Sequence, residues 1–356
     1  YLSQKYNLKY IVAKLLSIRG IDKDYIENFL NPNIHNDIPN PAKLKDIEKA
    51  TSRVIQAIDK KERIGIIADY DVDGSTSASI LFKFLKNFTS SIILKIPNRL
   101  VDGYGPNIKL MREMLDNKVD LLLTLDCGTT SNEIIDNKEF NKIDVIVIDH
   151  HLSEINLPNV LAIINPNRVD DTSDYKQLAA VGVTFLFLMY LRKKLRELNK
   201  FNEIKEPNLL SYLDLVALGT VCDVVELKRY NRLFVKKGLE LIHKRYHRGI
   251  AKLIDNSKIA SSPTSQDLGF VVGPQINAAS RIDDSSLASK LLISNDIEQI
   301  ESISRKLFLL NEKRKLIESQ ILDDANNQAA NQSNSNFILV FGNNWHQGVL
   351  GIIASK

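Results

Sequence analysis

From residue 63 onward the chain repeats one rhythm: a short continuous apolar run, a polar turn, then a segment with apolar residues every three or four positions. "RIGIIAD" reads as a buried strand and "STSASILFKFLKNF" as a helix. "SIILKIP", "VDLLLTLD" and "IDVIVIDHH" read as further strands, separated by helices in "NIKLMREMLDN" and "NEIIDNKEF". Strands apolar on both faces and alternating with helices predict an α/β fold with a parallel β-sheet and helices on both faces. A helix "VGVTFLFLMYLRKKLREL" and the apolar run "LLSYLDLVALGTVCDVVEL" follow.

Outside this stretch the pattern changes. The first forty residues carry short helical patterns, "YIVAKLLSIRG" and "KDYIENFLNPN", the second ending at a Pro/Asn stop. Residues 226–254 are basic and helical, 261–283 are rich in small and polar residues, and 296–325 form a charged helix. "NNQAANQSNSN", 326–336, is low-complexity and predicts a surface loop, after which "FILVFGN" predicts a new strand. The predicted division is a helical extension at 1–45, an α/β domain at 46–227, a helical connector at 228–335, and the beginning of a smaller α/β domain at 336–356.

Composition narrows the picture without deciding it. At 356 residues, 44% hydrophobic and 25% charged, the chain is long enough for two lobes. No apolar run spans a membrane. Cys127 and Cys222 make neither a disulfide framework nor a zinc motif, which suits a reducing compartment. The chain begins at Tyr1 without a signal peptide and ends at Lys356 inside an apolar run, so it reads as a piece of a longer protein. A net charge of +4 favours nucleic acid only mildly.

The chemistry lies in four acidic clusters read at strand ends, where ligands bind in open parallel sheets: Asp69/Asp71/Asp73, Asp126, Asp149 with His150 and His151, and Asp223. A single Asp there is ordinarily a helix N-cap. Carboxylates plus imidazole without a thiolate set suit Mn²⁺ or Mg²⁺. Three readings compete for "IIADYDVDGSTSASI". An EF-hand loop fails, because its twelfth position is Ile80 instead of Glu. A phosphatase with Asp71 as nucleophile and Asp73 as acid/base fits locally but leaves Asp126 and the histidines unused. Two metals, with Asp71 and Asp73 on different ions, Asp126 bridging, and His150 and Asp223 completing the cage, use every cluster.

"ADYDVDG", "LDCG", "VIDHH" and "GTVCDVV", in this order, resemble the four motifs of the DHH phosphoesterase superfamily. "LLSIRGID…FLNP", "IPNRLVDGYG", "GPQINAASRID" and "WHQGVLGIIASK" resemble its RecJ branch, the single-strand-specific 5′→3′ exonucleases. The resemblance implies a DHH catalytic domain followed by a DHHA1-like domain. It implies a two-metal site built from Asp71, Asp73, Asp126, His150 and Asp223, with Asp69 as a further ligand or supporting group. His151 is expected to face the scissile phosphate, and Asp149 to orient the neighbouring histidine. It also implies hydrolysis of single-stranded DNA to mononucleotides in recombination and repair, in the bacterial cytoplasm. The implied form is a monomer, with single-strand-binding protein and a helicase as partners. A phosphodiesterase acting on short oligonucleotides or cyclic dinucleotides is the alternative within the superfamily.

Resemblance assigns phosphate or strand contacts to Arg99, Tyr104, Asn277, Arg281, His346, Gln347 and Gly348. Tyr104 is also a plausible loop anchor between two glycines, and the family commonly has Gly at position 280 and Arg at 275, where this chain has Ser280 and Gln275. Residues 228–248 gather eight Lys/Arg and two His against Glu240, a pattern that attracts a phosphate backbone or simply forms a solvated helix face. Each cysteine neighbours a proposed ligand, and on a strand such a neighbour points into the packing.

Overall fold

Five strands, β1 (Ile64–Ala68), β2 (Ile92–Lys95), β3 (Leu121–Leu125), β4 (Asp144–Ile148) and β5 (Ala162–Ile164), form one parallel sheet in the order β2-β1-β3-β4-β5. The computed structural model describes residues 1–259, 262–330, 332 and 337–356. Successive residues of each strand serve opposite faces. Ile64, Ile66, Leu121, Leu123, Ile146 and Ile148 join a large core with α3 (Ile47–Asp59), α4 (Val72–Leu85), α6 (Ala180–Glu197) and α7 (Leu213–Cys222). Ile67, Leu122, Val145 and Val147 join a smaller core with Met111 and Met114 of α5 (Ile108–Asp116). The α/β class with helices on both faces is therefore observed, and the continuous apolar runs have their cause in this double burial.

The register fixes where the chemistry goes. Ala68 pairs with Leu125, Leu125 with Ile148, and Ile148 with Ile164, so the strands end in one row. The ladder runs one step further: the amides of Asp69, Asp126 and Asp149 donate to the carbonyls of Leu125, Ile148 and Ile164 at 3.0–3.1 Å. The row beyond the sheet is thus Asp69, Asp126, Asp149 and Asn165.

Before the sheet lie α1 (Tyr10–Ile18) and α2 (Ile26–Leu30). After α7 come α8 (Arg229–His243), α9 (Arg248–Asn256), α10 (Gly273–Ile282), α11 (Leu287–Ile293), the long α12 (Ile297–Ala330) and α13 (Gln347–Ala354). Among the described residues no helix is long and apolar enough to cross a membrane.

Several expectations change. Asp223 caps the C-terminal end of helix α7 and is not at a strand end, because an apolar run buried all round reads alike for strand and helix. "GPQINAASR" keeps the helical character expected of 228–335, its small residues Ala278, Ala279 and Ser280 being buried against neighbours. The helix expected to stop near 325 continues to Ala330; of the predicted 326–336 loop, 331 and 333–336 lie outside the described residues. "FILVFGN" forms no strand: its polar groups at Leu339 and Phe341 pair with the side-chain amides of Gln332 and Gln328 instead of with a neighbouring strand. Helix "NEIIDNKEF" breaks into two short pieces, at Asn132–Ile135 and Lys138–Phe140.

Part of the basic run has an internal task. Arg232 donates to the Phe29 carbonyl at 2.7 Å and lies 3.8 Å over the Phe29 ring, and Lys236, one turn on, donates to the Leu30 carbonyl at 2.7 Å. Both cations serve the carbonyl end of α2, where the last C=O groups have no partner within the helix. Arg232→Ala should destabilise the docked extension by about 1–2 kcal/mol and speed proteolysis within residues 1–40, read by limited digestion, with the sheet domain left intact.

Candidate metal centre

Three loops leave the carboxyl edge of the sheet and converge with the C-terminal end of α7. After β1 the chain turns at once into α4, with Asp71 as N-cap accepting the Gly74 amide at 3.0 Å. A Cβ at Gly74 would stand 2.3 Å from the Asp69 carbonyl oxygen, so only glycine permits a turn this tight. After β3, Asp126 takes φ 58°, a left-handed conformation uncommon for a side-chain-bearing residue. That backbone strain lifts its carboxylate out of the strand's plane of alternation and into the site. After β4 come Asp149, His150 and His151. From the other side α7 brings Asp223, and Gly219 one turn earlier lets it close on α4: a Cβ there would lie 2.3 Å from Thr76 Oγ1 and 3.0 Å from Asp73 Oδ1.

The ligand-type atoms meet in overlapping sets. Asp69, Asp71 and Asp126 offer oxygens within 4.8 Å of one another; so do Asp73, His150 and Asp223, and Asp126 with His150 and His151. His150 Nε2 is 3.4 Å from both Asp126 Oδ1 and Asp223 Oδ2, and 3.9 Å from Asp73 Oδ2. Asp126 therefore belongs to two sets. Asp73 also has a structural role: its two oxygens accept the Ala180 and Val181 amides at 2.6 and 2.9 Å, capping α6, whose own N-cap Ala179 has no side chain to do so.

Electrostatics show what these groups lack. Burial, then the charge of Asp71, pushes Asp69 up to about 8. Burial and Asp71 push Asp223 up to about 7. Asp73 and Asp126 are raised well above the usual carboxylate range, by burial first and by neighbouring carboxylates second. Asp69 Oδ1, Asp126 Oδ1, His150 Nε2 and Asp223 Oδ2 are buried without a hydrogen-bond partner. Four unpartnered lone-pair atoms facing one another are repulsive until a cation stands among them. The oxygen and imidazole set fits a hard or borderline divalent ion such as Mn²⁺ or Mg²⁺.

The two histidines differ. Burial, and then the neighbouring His151, lower His150, which keeps its ring neutral and suited to donate a lone pair. Asp149 is buried, yet hydrogen bonds from His151 and Thr129 hold it below the usual carboxylate range. It accepts His151 Nδ1 at 2.8 Å and the amides of His150, His151 and Thr129 at 2.7, 3.2 and 3.1 Å. That bond raises His151, whose side chain is 48% exposed and so open to a ligand.

A cationic shelf borders the acidic cluster. Arg99 lies 5.0 Å over the Tyr70 ring, and Arg281 donates to the Gly348 carbonyl at 3.1 Å. Neither has a carboxylate partner among the described residues, and burial followed by repulsion from Arg99 lowers Arg281. Asn277 Oδ1 is buried and unpartnered nearby on α10. His346 caps α13 through the Gly348 amide at 3.1 Å, Gln347 starts that helix, and Gly348 fits where a Cβ would stand 2.0 Å from the Arg281 carbonyl oxygen. Tyr104 donates to the Asp126 carbonyl at 2.7 Å and meets Tyr70 and His151 edge-on, so its hydroxyl anchors the strained turn. Gln275 is buried against α9, its amide on Ser257 Oγ at 2.8 Å, and Ser280 is buried with its hydroxyl on the Asn277 carbonyl. Cys127 is buried with its thiol toward the Leu125 carbonyl, and Cys222 turns toward Leu268.

Three supports were missed in the sequence. Tyr70 underlies Arg99. Asn165 holds Thr129 Oγ1 and the His151 carbonyl at 2.9 Å each, and Asn167 holds the His150 carbonyl at 2.5 Å. The signal was "INPN", whose meaning depends on recognising β5 in front of it.

The chain resembles known proteins over most of its length. The profile described as "DHH family, N-terminal domain" matches residues 63–220. The single-stranded-DNA-specific exonuclease RecJ of Dickeya dadantii is 38% identical over 323 residues, 88% of this chain and 56% of that protein. The chain spans about half the length of the curated relatives it matches. A crystal structure of exonuclease RecJ bound to manganese superposes with a TM-score of 0.78 at 31% identity, over 88% of this chain and 77% of that one. RecJ of Thermus thermophilus in complex with Mn²⁺ gives 0.83 at 28% identity, over 99% and 49%. The row of acids beyond the sheet, the paired histidines and this extent of likeness lead to one assignment: the chain belongs to the RecJ branch of the DHH family.

Proposed function

We propose that the chain is the catalytic core of a metal-dependent exonuclease that hydrolyses single-stranded DNA from its 5′ end to mononucleotides. The observation that carries this reading is the convergence of four buried, unpartnered ligand atoms, from Asp69, Asp126, His150 and Asp223, beside two arginines without acidic partners among the described residues. The catalytic domain in this reading is 46–227, the connector 228–335, and residues from 336 begin a further domain.

Two divalent ions held there, Mn²⁺ or Mg²⁺, would supply charge neutralisation of the phosphodiester and activation of water. Asp69, Asp71 and Asp126 would hold one, and Asp73, His150 and Asp223 the other, with Asp126 shared. His151, oriented by Asp149, is placed to donate a hydrogen bond where charge develops on the phosphoryl oxygens. Arg99, Asn277 and Arg281 border the site as phosphate contacts. His346, Gln347 and Gly348 bring α13 against Arg281 and close that end. No base-reading contacts are needed for such a reaction, since backbone charge supplies the affinity. In the cell a helicase would supply the strand and a single-strand-binding protein would coat it, in bacterial recombination and repair.

The test is a nuclease assay with Mn²⁺, comparing long strands labelled at the 5′ or 3′ end with dinucleotides and cyclic dinucleotides. The expected result is immediate release of 5′-labelled mononucleotide from the long strand. Consumption of dinucleotides alone would refute the reading. Arg281→Ala should raise KM for the long strand about tenfold or more, the loss expected for a charge-assisted hydrogen bond, with Mn²⁺ affinity unchanged. Equilibrium titration with Mn²⁺ separates that effect from damage to the acidic cluster.

A further inference from the structure

We propose that a second nucleotide-binding site lies on the far side of the sheet domain, in a cavity of about 420 Å³ where α4 ends and α7 and α9 begin. Its occupant is a nucleotide phosphate, free or within a DNA strand, held by Lys83, Arg248 and the N-terminus of α9, with the base against Tyr212 and Tyr246.

Lys83 sits in the last turn of α4, half-buried, with its ammonium 3.4 Å from His247 Nε2. That nitrogen gives it nothing. His247 Nδ1 accepts the Ile250 amide as the N-cap of α9, so the ring hydrogen is on Nε2, where it is donated to the Leu292 carbonyl at 2.9 Å. Burial holds this imidazole down, at about 4, and therefore neutral. No carboxylate stands within salt-bridge distance of Lys83 among the described residues; Asp214, whose Oδ1 accepts the Leu215 amide and whose Oδ2 is buried without a partner, acts on it only from further off. A half-buried ammonium without an acceptor is a costly feature until an anion reaches it.

Other anion-seeking groups line the same cavity. Arg248, the first residue of α9, is exposed and has no acidic partner among the described residues. The amides of Arg248 and Gly249 belong to the first turn, where an α-helix offers no carbonyl to them and its dipole favours negative charge. Tyr212 and Tyr246 line the cavity too, Tyr246 with 60% of its surface exposed. Cations beside aromatic faces are the combination that holds a phosphate and stacks a base. His247 and Arg248 close the basic run 228–248, whose earlier cations Arg232 and Lys236 are spent on the N-terminal extension.

Lys83 lies ten positions after Asp73 on α4, about 15 Å along the helix, so no single nucleotide touches both sites. The cavity is therefore a site separate from the acidic cluster.

Calorimetric titration of the full chain with dAMP, in EDTA to silence the acidic cluster, tests it. Lys83→Met and Arg248→Ala should each weaken dAMP binding about tenfold, Tyr246→Ala should weaken it less, inorganic phosphate should compete, and Arg281→Ala should leave it unchanged. A short single-stranded oligonucleotide weakened in parallel would mark the strand as the source, whereas one unaffected would mark the free nucleotide. Absence of dAMP binding at millimolar concentration overturns the proposal. So does binding that survives both Lys83→Met and Arg248→Ala, or that is lost only in Arg281→Ala; Arg248 is exposed, so its variant answers even where Lys83→Met does not fold.

Discussion

Asp126→Asn should lower Mn²⁺-dependent hydrolysis about 10³-fold, some 4 kcal/mol of transition-state stabilisation, while making the metal-free protein more stable at pH 8. The two effects have one cause. Asp126 is 2% exposed, and its carboxylate belongs both to the set with Asp69 and Asp71 and to the set with His150 and His151. Asparagine keeps the size and tolerates the left-handed backbone at φ 58° better than most residues. The Tyr104 hydrogen bond goes to the backbone carbonyl and survives the change. What is lost is one shared negative charge, which two cations need and which the metal-free cluster resists. A substitution that merely disrupted folding would lower activity and stability together. Paired rate and urea-unfolding measurements on the variant distinguish the cases.

The second large effect is the pH dependence of the chelator-treated protein. Asp69, held up to about 8, and Asp223, held up to about 7, keep their protons when folded at pH values where the unfolded chain has released them. Raised carboxyl pKa values give stability that is complete below about pH 4 and is lost as pH climbs through the folded values. Asp149, held low, acts in the opposite sense and withdraws its support only in stronger acid. Metal-free protein should therefore be most stable in mild acid and lose a few kcal/mol between about pH 5 and pH 8. Saturating Mn²⁺ should reverse the slope, because it binds the deprotonated cluster. Unfolding curves at both pH values, with EDTA and with Mn²⁺, measure this; a chelated protein that gains stability from pH 5 to pH 8 would contradict the electrostatic account.

Much of the sheet was legible because burial on both faces writes each strand as an unbroken apolar run. Ile64–Ala68 and Leu121–Leu125 are fully buried along their length. β5 escaped because three residues, Ala162–Ile164, carry no pattern, and with it went the meaning of Asn165 and Asn167. The α7 run was legible as buried but not as helical: with apolar residues on every side, period 3.6 has nothing to contrast with. Acidic motifs announced the cluster through residue type and spacing. They could not show that Asp73 would also cap a helix beginning more than a hundred residues later, since that depends on α6 arriving with an uncapped N-terminus. Charge was the least informative signal: Arg232, Lys236 and Arg248 look alike in the basic run, yet the first two bind carbonyls of α2 and the third faces solvent. The segment after Phe337 reads as a strand by composition, but a strand exists only where a partner completes its ladder, and here glutamine side chains take that place.

The positions of the cations decide the proposed mechanism. Anomalous scattering from crystals soaked in Mn²⁺ should show two peaks, one enclosed by Asp69, Asp71 and Asp126 and the other by Asp73, His150 and Asp223, with Asp126 touching both. A single peak, or manganese bound anywhere but in this cluster, would contradict it.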